Sequence, residues 1–262
     1  MARRRPHHQT GNQCHCVQPR SVILNTLSKY IASGGSACAA SIRNIHNPNR
    51  HITLEPHTKP INSLSFSPHQ HILASGSADN TVKLYYPGSS NQTKTIKGHS
   101  GGVKSVEFMS DGKTLITASD DKTVKLWDTD TIKFKAGFTG HTHWVNSASS
   151  SPDMTLLCSG GEDKKLIIWD VETKKALQKK DIFEGSVTHT AFHPSDQCVM
   201  VSTNNKTMSL FDLRTDSIVQ HYEAHHDRVS QFAFHPEGAF MVSVSTNSEV
   251  KVRFVRYRSG TF

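Results

Sequence analysis

Long apolar runs are missing from this chain of 262 residues, whose apolar stretches stay shorter than ten. A membrane-spanning helix needs about 20 such residues, and no n-region, h-region and cleavage-site pattern opens the sequence. Cysteine is scarce and irregular. The five, Cys14, Cys16, Cys38, Cys158 and Cys198, are odd in number and lack the spacing of a disulfide framework. Cys158 and Cys198 fall in expected strands and read as buried thiols. The sequons at Asn91 and Asn205 therefore carry no weight, and the expectation is an intracellular soluble protein with no membrane partner.

Catalytic signatures are missing as well. There is no nucleophile elbow, no GxGxxG after a strand, no Walker loop and no pair of catalytic carboxylates. Asp120 and Asp121 adjoin, but Asp121 belongs to a repeated turn. HYEAHH, from His221 to His226, spaces histidines four apart, yet its Glu is misplaced for a helical metal motif and the segment is a strand-to-loop junction. Cys14-His15-Cys16 with His7 and His8 fits no standard zinc spacing. These absences predict no enzyme activity, no metal and no cofactor.

What is present begins with charge. Thirty basic against 22 acidic residues leave +8, with a pI near 9.3. That balance favours acidic surfaces among the partners. The absence of aromatic-basic motifs of the RNA-binding kind speaks against direct nucleic-acid binding. Composition, at 35% hydrophobic and 20% charged, suffices for one sizeable core. Residues 1–14 are basic and without periodicity, and read as a tail.

A repeat dominates the remainder. Leu115 to Trp127 reads LITASDDKTVKLW, a strand, a polar turn and a second strand. LASGSADNTVKLY stands 42 residues earlier and LCSGGEDKKLIIW 42 later. The turn acid recurs at Asp79, Asp121 and Asp163, with Asn205 and Asn247 on the same beat. A histidine recurs at His57, His99, His141 and His225, with Phe183 in its place once. Six units follow, at about 15–56, 57–98, 99–140, 141–182, 183–224 and 225–262, the first of them degenerate. Each holds about four short strands and no helical pattern, which predicts one blade of a β-propeller per unit.

Gly-His near the start of a unit and Trp-Asp at its end, with Asp six residues before the Trp, resemble the WD-repeat family. The resemblance covers 57–254 well and 15–56 weakly. It implies an all-β propeller of six recognisable four-stranded blades, where the family usually has seven. It also implies a hydrogen-bonded set in each blade: His99, Thr117, Asp121 and Trp127; His141, Ser159, Asp163 and Trp169; His57, Ser75 and Asp79 with Tyr85 replacing the Trp; and His225 alone in the last unit. The fifth and sixth units lack most of the set and are expected to be looser. SDGKTLITASDDKTVKLWDTDTIKFKAGFTGHTHWVNSASSSPD and QHYEAHHDRVSQFAFHPEGAF are further similar to the WD-repeat proteins of the centriole proteome, the Poc-one type. That likeness implies a non-catalytic scaffold for centriole, basal-body or cilium assembly and stability, with centriolar or microtubule-associated protein partners and a cytoplasmic, cytoskeletal location. The second reading is a scaffold subunit of a nuclear RNA-processing or chromatin complex.

Contacts are expected on the rim where loops gather. The residue before each turn acid, including Asp120 and Glu162, should face one mouth of the propeller, as should Lys59, His143, Trp144, Asp227 and Arg228 just after the histidine positions. Trp144 draws most interest, since an aromatic between a polar loop and Val145 has no evident core role, and Trp and Arg are over-represented at binding hot spots.

Overall fold

Short runs rich in Val, Ile, Thr and aromatics, broken every few residues by polar turns, give strands and nothing else. The computed structural model describes residues 19–24, 29–47, 49, 51–87, 92–181 and 183–255, without the side chains of 19–22 and 24. The expected tail at 1–14 and the Cys14-His15-Cys16 cluster lie outside the described residues. The structure is all-β, with six antiparallel sheets arranged as the blades of a propeller ring. Five blades have four strands in meander order, and the last has three among the described residues: Val229–Phe234, Phe240–Ser245 and Val250–Phe254.

The third blade shows how a unit is built. Its inner strand, Val103–Phe108, pairs with Thr114–Ser119, which pairs with Thr123–Asp128, which pairs with the outer strand Lys133–Thr139. The second strand is buried throughout, whereas the outer strand buries alternate residues from its middle onward. Sequence sets that gradient, since TLITAS is small and apolar and KFKAGFT alternates Lys with aromatics.

The hairpins are as periodic as the strands. Cys38, Asn80, Lys122, Lys164, Lys206 and Ser248, each 42 residues from the next, all adopt positive φ between 62° and 70° in the turn between second and third strands. Of these, Asn alone tolerates the left-handed region readily. The preceding acid compensates: Asp121 accepts from the Thr123 backbone N–H at 3.1 Å and from its hydroxyl at 2.6 Å, and Asp79 does the same for Thr81 at 3.0 and 2.6 Å. The side chain holds the turn that the backbone would resist.

Between consecutive blades lie five buried apolar clusters, each formed in the same way. Three residues from the second and third strands of one blade, such as Ile116, Val124 and Leu126, meet the first and fourth residues of the next inner strand, here Val145 and Ala148. Burial of this kind, at roughly 25 cal/mol per Å² of apolar surface, is what joins one blade to the next.

Candidate protein-docking mouth and the blade hydrogen-bond sets

Each regular blade carries a buried relay. In the third, Trp127 Nε1–H donates to Thr117 Oγ1 at 2.9 Å, Thr117 Oγ1 lies 2.7 Å from His99 Nε2, and His99 Nδ1 lies 2.7 Å from Asp121 Oδ2. The fourth repeats it through Trp169, Ser159, His141 and Asp163 at 2.8, 2.8 and 2.9 Å. A neutral histidine that donates from Nδ1 to the carboxylate and accepts at Nε2 from the hydroxyl satisfies every member. Burial alone would raise the Asp79 carboxyl. Hydrogen bonds from Thr81, from the Thr58 backbone N–H and from His57 outweigh it and hold the group at about 2. Asp121 and Asp163 are lowered too, where His99 and His141 head the bonds that overcome burial.

The second and sixth blades keep the geometry with different residues, and the fifth does not. In the second, His57 sits 2.6 Å from Ser75 Oγ and 2.9 Å from Asp79, and Tyr85 turns its hydroxyl to the Glu55 carbonyl at 2.9 Å. The fifth is apolar at the equivalent positions, with Phe183, Val201 and Phe211 buried in one cluster. The sixth departs from the expectation of an incomplete set. His225 Nε2 lies 2.8 Å from Ser243 Oγ, and its Nδ1 lies 3.1 Å from Glu249, two residues beyond the expected turn position. Arg253 Nη1 donates to Ser243 at 3.0 Å, where the other blades offer an indole N–H. The reading along the 42-residue beat looked at Asn247 and missed Glu249; a carboxylate two positions away was the available signal.

The glycine of the Gly-His pair has a partner of its own. Gly98 lies under the ring of Trp127, where an added Cβ would collide, and a Cβ on Gly140 would stand 2.9 Å from Cη2 of Trp169. Units without the indole carry Cys14, Pro56, Ile182 and Ala224 at this position.

A repeated backbone bond ties the two loops of the expected rim together within each blade. The N–H of Ala78, Asp120, Glu162, Asn204 and Thr246 donates to the carbonyl of Pro60, Gly102, Trp144, Ser186 and Arg228 respectively, at 2.8–3.0 Å. Lys59, His143, Asp227 and Arg228 are exposed, while Asp120 and Glu162 are partly buried. Trp144 is 46% exposed, its ring 5.0 Å from His143 and capped by Lys104 Nζ at 5.3 Å. Lys104 also reaches Asp120 at 3.5 Å. Glu162 accepts from Asn146 Nδ2 at 2.8 Å, and Asp227 accepts from the Arg228 backbone N–H at 2.7 Å.

Lys104 and Asn146 were not singled out in the sequence, since they sit one residue inside the inner strands. The signal was positional. Asn62 and Asn146, each 42 residues from Lys104, bridge to the next blade by donating Nδ2–H to the Val103 and Val187 carbonyls at 2.8 Å. Lys104 breaks that pattern and turns to the tryptophan. Behind the mouth lies an axial cavity of about 240 Å³ lined by Asn62, Lys104, Asn146, His189, Arg228 and Gln231 among others. The partly buried His189 ring is pushed down to about 4 by desolvation, and its enclosed Nδ1 has no hydrogen-bond partner among the described residues.

Fold and repeated sets together define a WD-repeat β-propeller. Residues 60–255 match the family described as IFT122 first beta-propeller, and the chain belongs to that family. The family match does not extend to the centriole-proteome type. A search of curated proteins finds no match. The described residues contain no helix long and apolar enough to cross a membrane.

Proposed function

We infer that the chain is a non-catalytic docking scaffold of the cilium, in the intraflagellar-transport setting that its family name carries, and that it seats protein partners on the mouth around Trp144. The observation that carries the reading is the triad at that mouth. An indole left half exposed, flanked by His143 and capped by Lys104, offers an aromatic and cationic anchor with little side-chain entropy left to lose. Mixed charge around it, Lys59 and Arg228 against Asp120, Glu162 and Asp227, suits a polar rim. A basal-body or centriolar address is the finer form of this proposal, in keeping with the resemblance to the Poc-one type.

The test is localisation of the tagged chain in ciliated cells stained for axoneme and basal body. Wild type should concentrate at one of these, and Trp144→Ala should disperse while its melting temperature stays unchanged. Nuclear accumulation of the wild type, or an undisturbed Trp144→Ala, overturns the reading.

A further inference from the structure

The forward faces of blades one to five are each covered by the blade that follows. In blades one to five the three covering positions are Ala32, Ala40, Ile42; Ala74, Val82, Leu84; Ile116, Val124, Leu126; Cys158, Leu166, Ile168; and Met200, Met208, Leu210, all at most 4% exposed. One further step of 42 residues lands on Val242, Val250 and Val252 of the sixth blade, which are 37%, 61% and 66% exposed. Val244 and Phe254 widen the same face at 37% and 75%. Their alternates point the other way: Ser243 and Arg253 into the blade's own polar set, Met241 into the cluster with the fifth blade.

Nothing in the strand itself differs from its predecessors. Val242, Val244, Val250, Val252 and Phe254 are as apolar as their predecessors, and none of the five carries a charge. In four of the five built interfaces the cover is the same kind of object, an inner strand bringing apolar side chains at i and i+3: Ile61 and Leu64, Val103 and Val106, Val145 and Ala148, and Val229 and Phe232; in the remaining one Val187 is followed at i+3 by Thr190, whose methyl group faces the same way. An apolar face of this size rimmed by polar residues marks an interaction site.

We propose that the forward face of the sixth blade docks a β-hairpin or β-meander of a partner protein, which presents apolar β-branched or aromatic side chains at i and i+3 of its first strand, as a further blade would. The interface continues a series that the molecule already builds five times, so the occupant's chemistry is that of the occupants before it. This surface lies on the flank of the ring and uses none of the mouth residues around Trp144.

A photo-crosslinking amino acid at Val252 of the full chain, expressed in ciliated cells, tests the idea, with the same residue at the exposed turn position Lys122 as control. Mass spectrometry should find the Val252 adduct on another protein, within a segment of β pattern with apolar residues at i and i+3. The adduct should be lost on Phe254→Lys and retained in Trp144→Ala, which separates this face from the mouth. An adduct within the same chain means that its own residues cover the face. An adduct with a second copy means self-association. Either result, or no adduct above the Lys122 control, overturns the proposal.

Discussion

Thr117 receives the indole N–H of Trp127 and sits within hydrogen-bond reach of His99, so one hydroxyl holds two buried partners. Thr117→Val keeps the shape and strands both, and should cost about 1–3 kcal/mol in urea unfolding. The same exchange runs in reverse at Val201, which lies in an apolar cluster with Phe183 and Phe211, so Val201→Thr should destabilise as well. Glu107 is a different case. Its carboxyl is enclosed on the third inner strand, accepts from Ser149 at 2.8 Å, and is pushed up to about 7 by burial. A carboxyl raised in the folded state gives full stability below its ordinary value near 4.5 and loses it as pH rises through about 7. Glu107→Gln should therefore flatten that slope and gain about 1–2 kcal/mol at pH 8, the figure being reduced because part of the residue reaches solvent. Denaturation at pH 5 and pH 8 reads it out. Asp79, held at about 2, acts with the opposite sign, its contribution being present above pH 4 and lost as pH falls toward 2.

At the scale of a hairpin, Lys122 is exposed and left-handed, with its turn already fixed by Asp121. Lys122→Gly removes the steric penalty and adds unfolded-state entropy, for a net gain of up to about 1 kcal/mol in thermal unfolding. The sixth blade allows a coupled test. Arg253→Trp should be destabilising alone, since Ala224 stands where the third and fourth blades need glycine under the ring. Paired with Ala224→Gly it should recover, giving a coupling energy of about 1 kcal/mol or more in a double-mutant cycle. Strands and their order were legible in the sequence because hydrophobic alternation, turn acids and the 42-residue beat agree at 57–254. The relays of His99 and His141 were legible through resemblance. Glu249 and Arg253 were not, because a functional group can reach the same hydroxyl from a shifted position or on a longer side chain. Lys104 escaped for another reason: its role depends on Trp144 of the next blade, a contact that no local pattern encodes.

Across the whole ring, the interfaces differ in what they bury. The third and fourth blades join complete relays to a cluster that includes Phe138 and Trp169, whereas the sixth has, among the described residues, one covered face and three strands. Native-state hydrogen exchange should accordingly be slowest in Leu156–Gly161 and fastest among the blades in Val250–Phe254. The glycine beneath each indole carries a lesson about which substitutions such a ring accepts. While the ring of Trp127 is present, Gly98 cannot acquire a side chain without a collision; in units without the indole the position holds Cys, Pro, Ile or Ala. Within a blade, therefore, the two positions are bound in one order: a side chain at the glycine is accommodated only where the indole is absent.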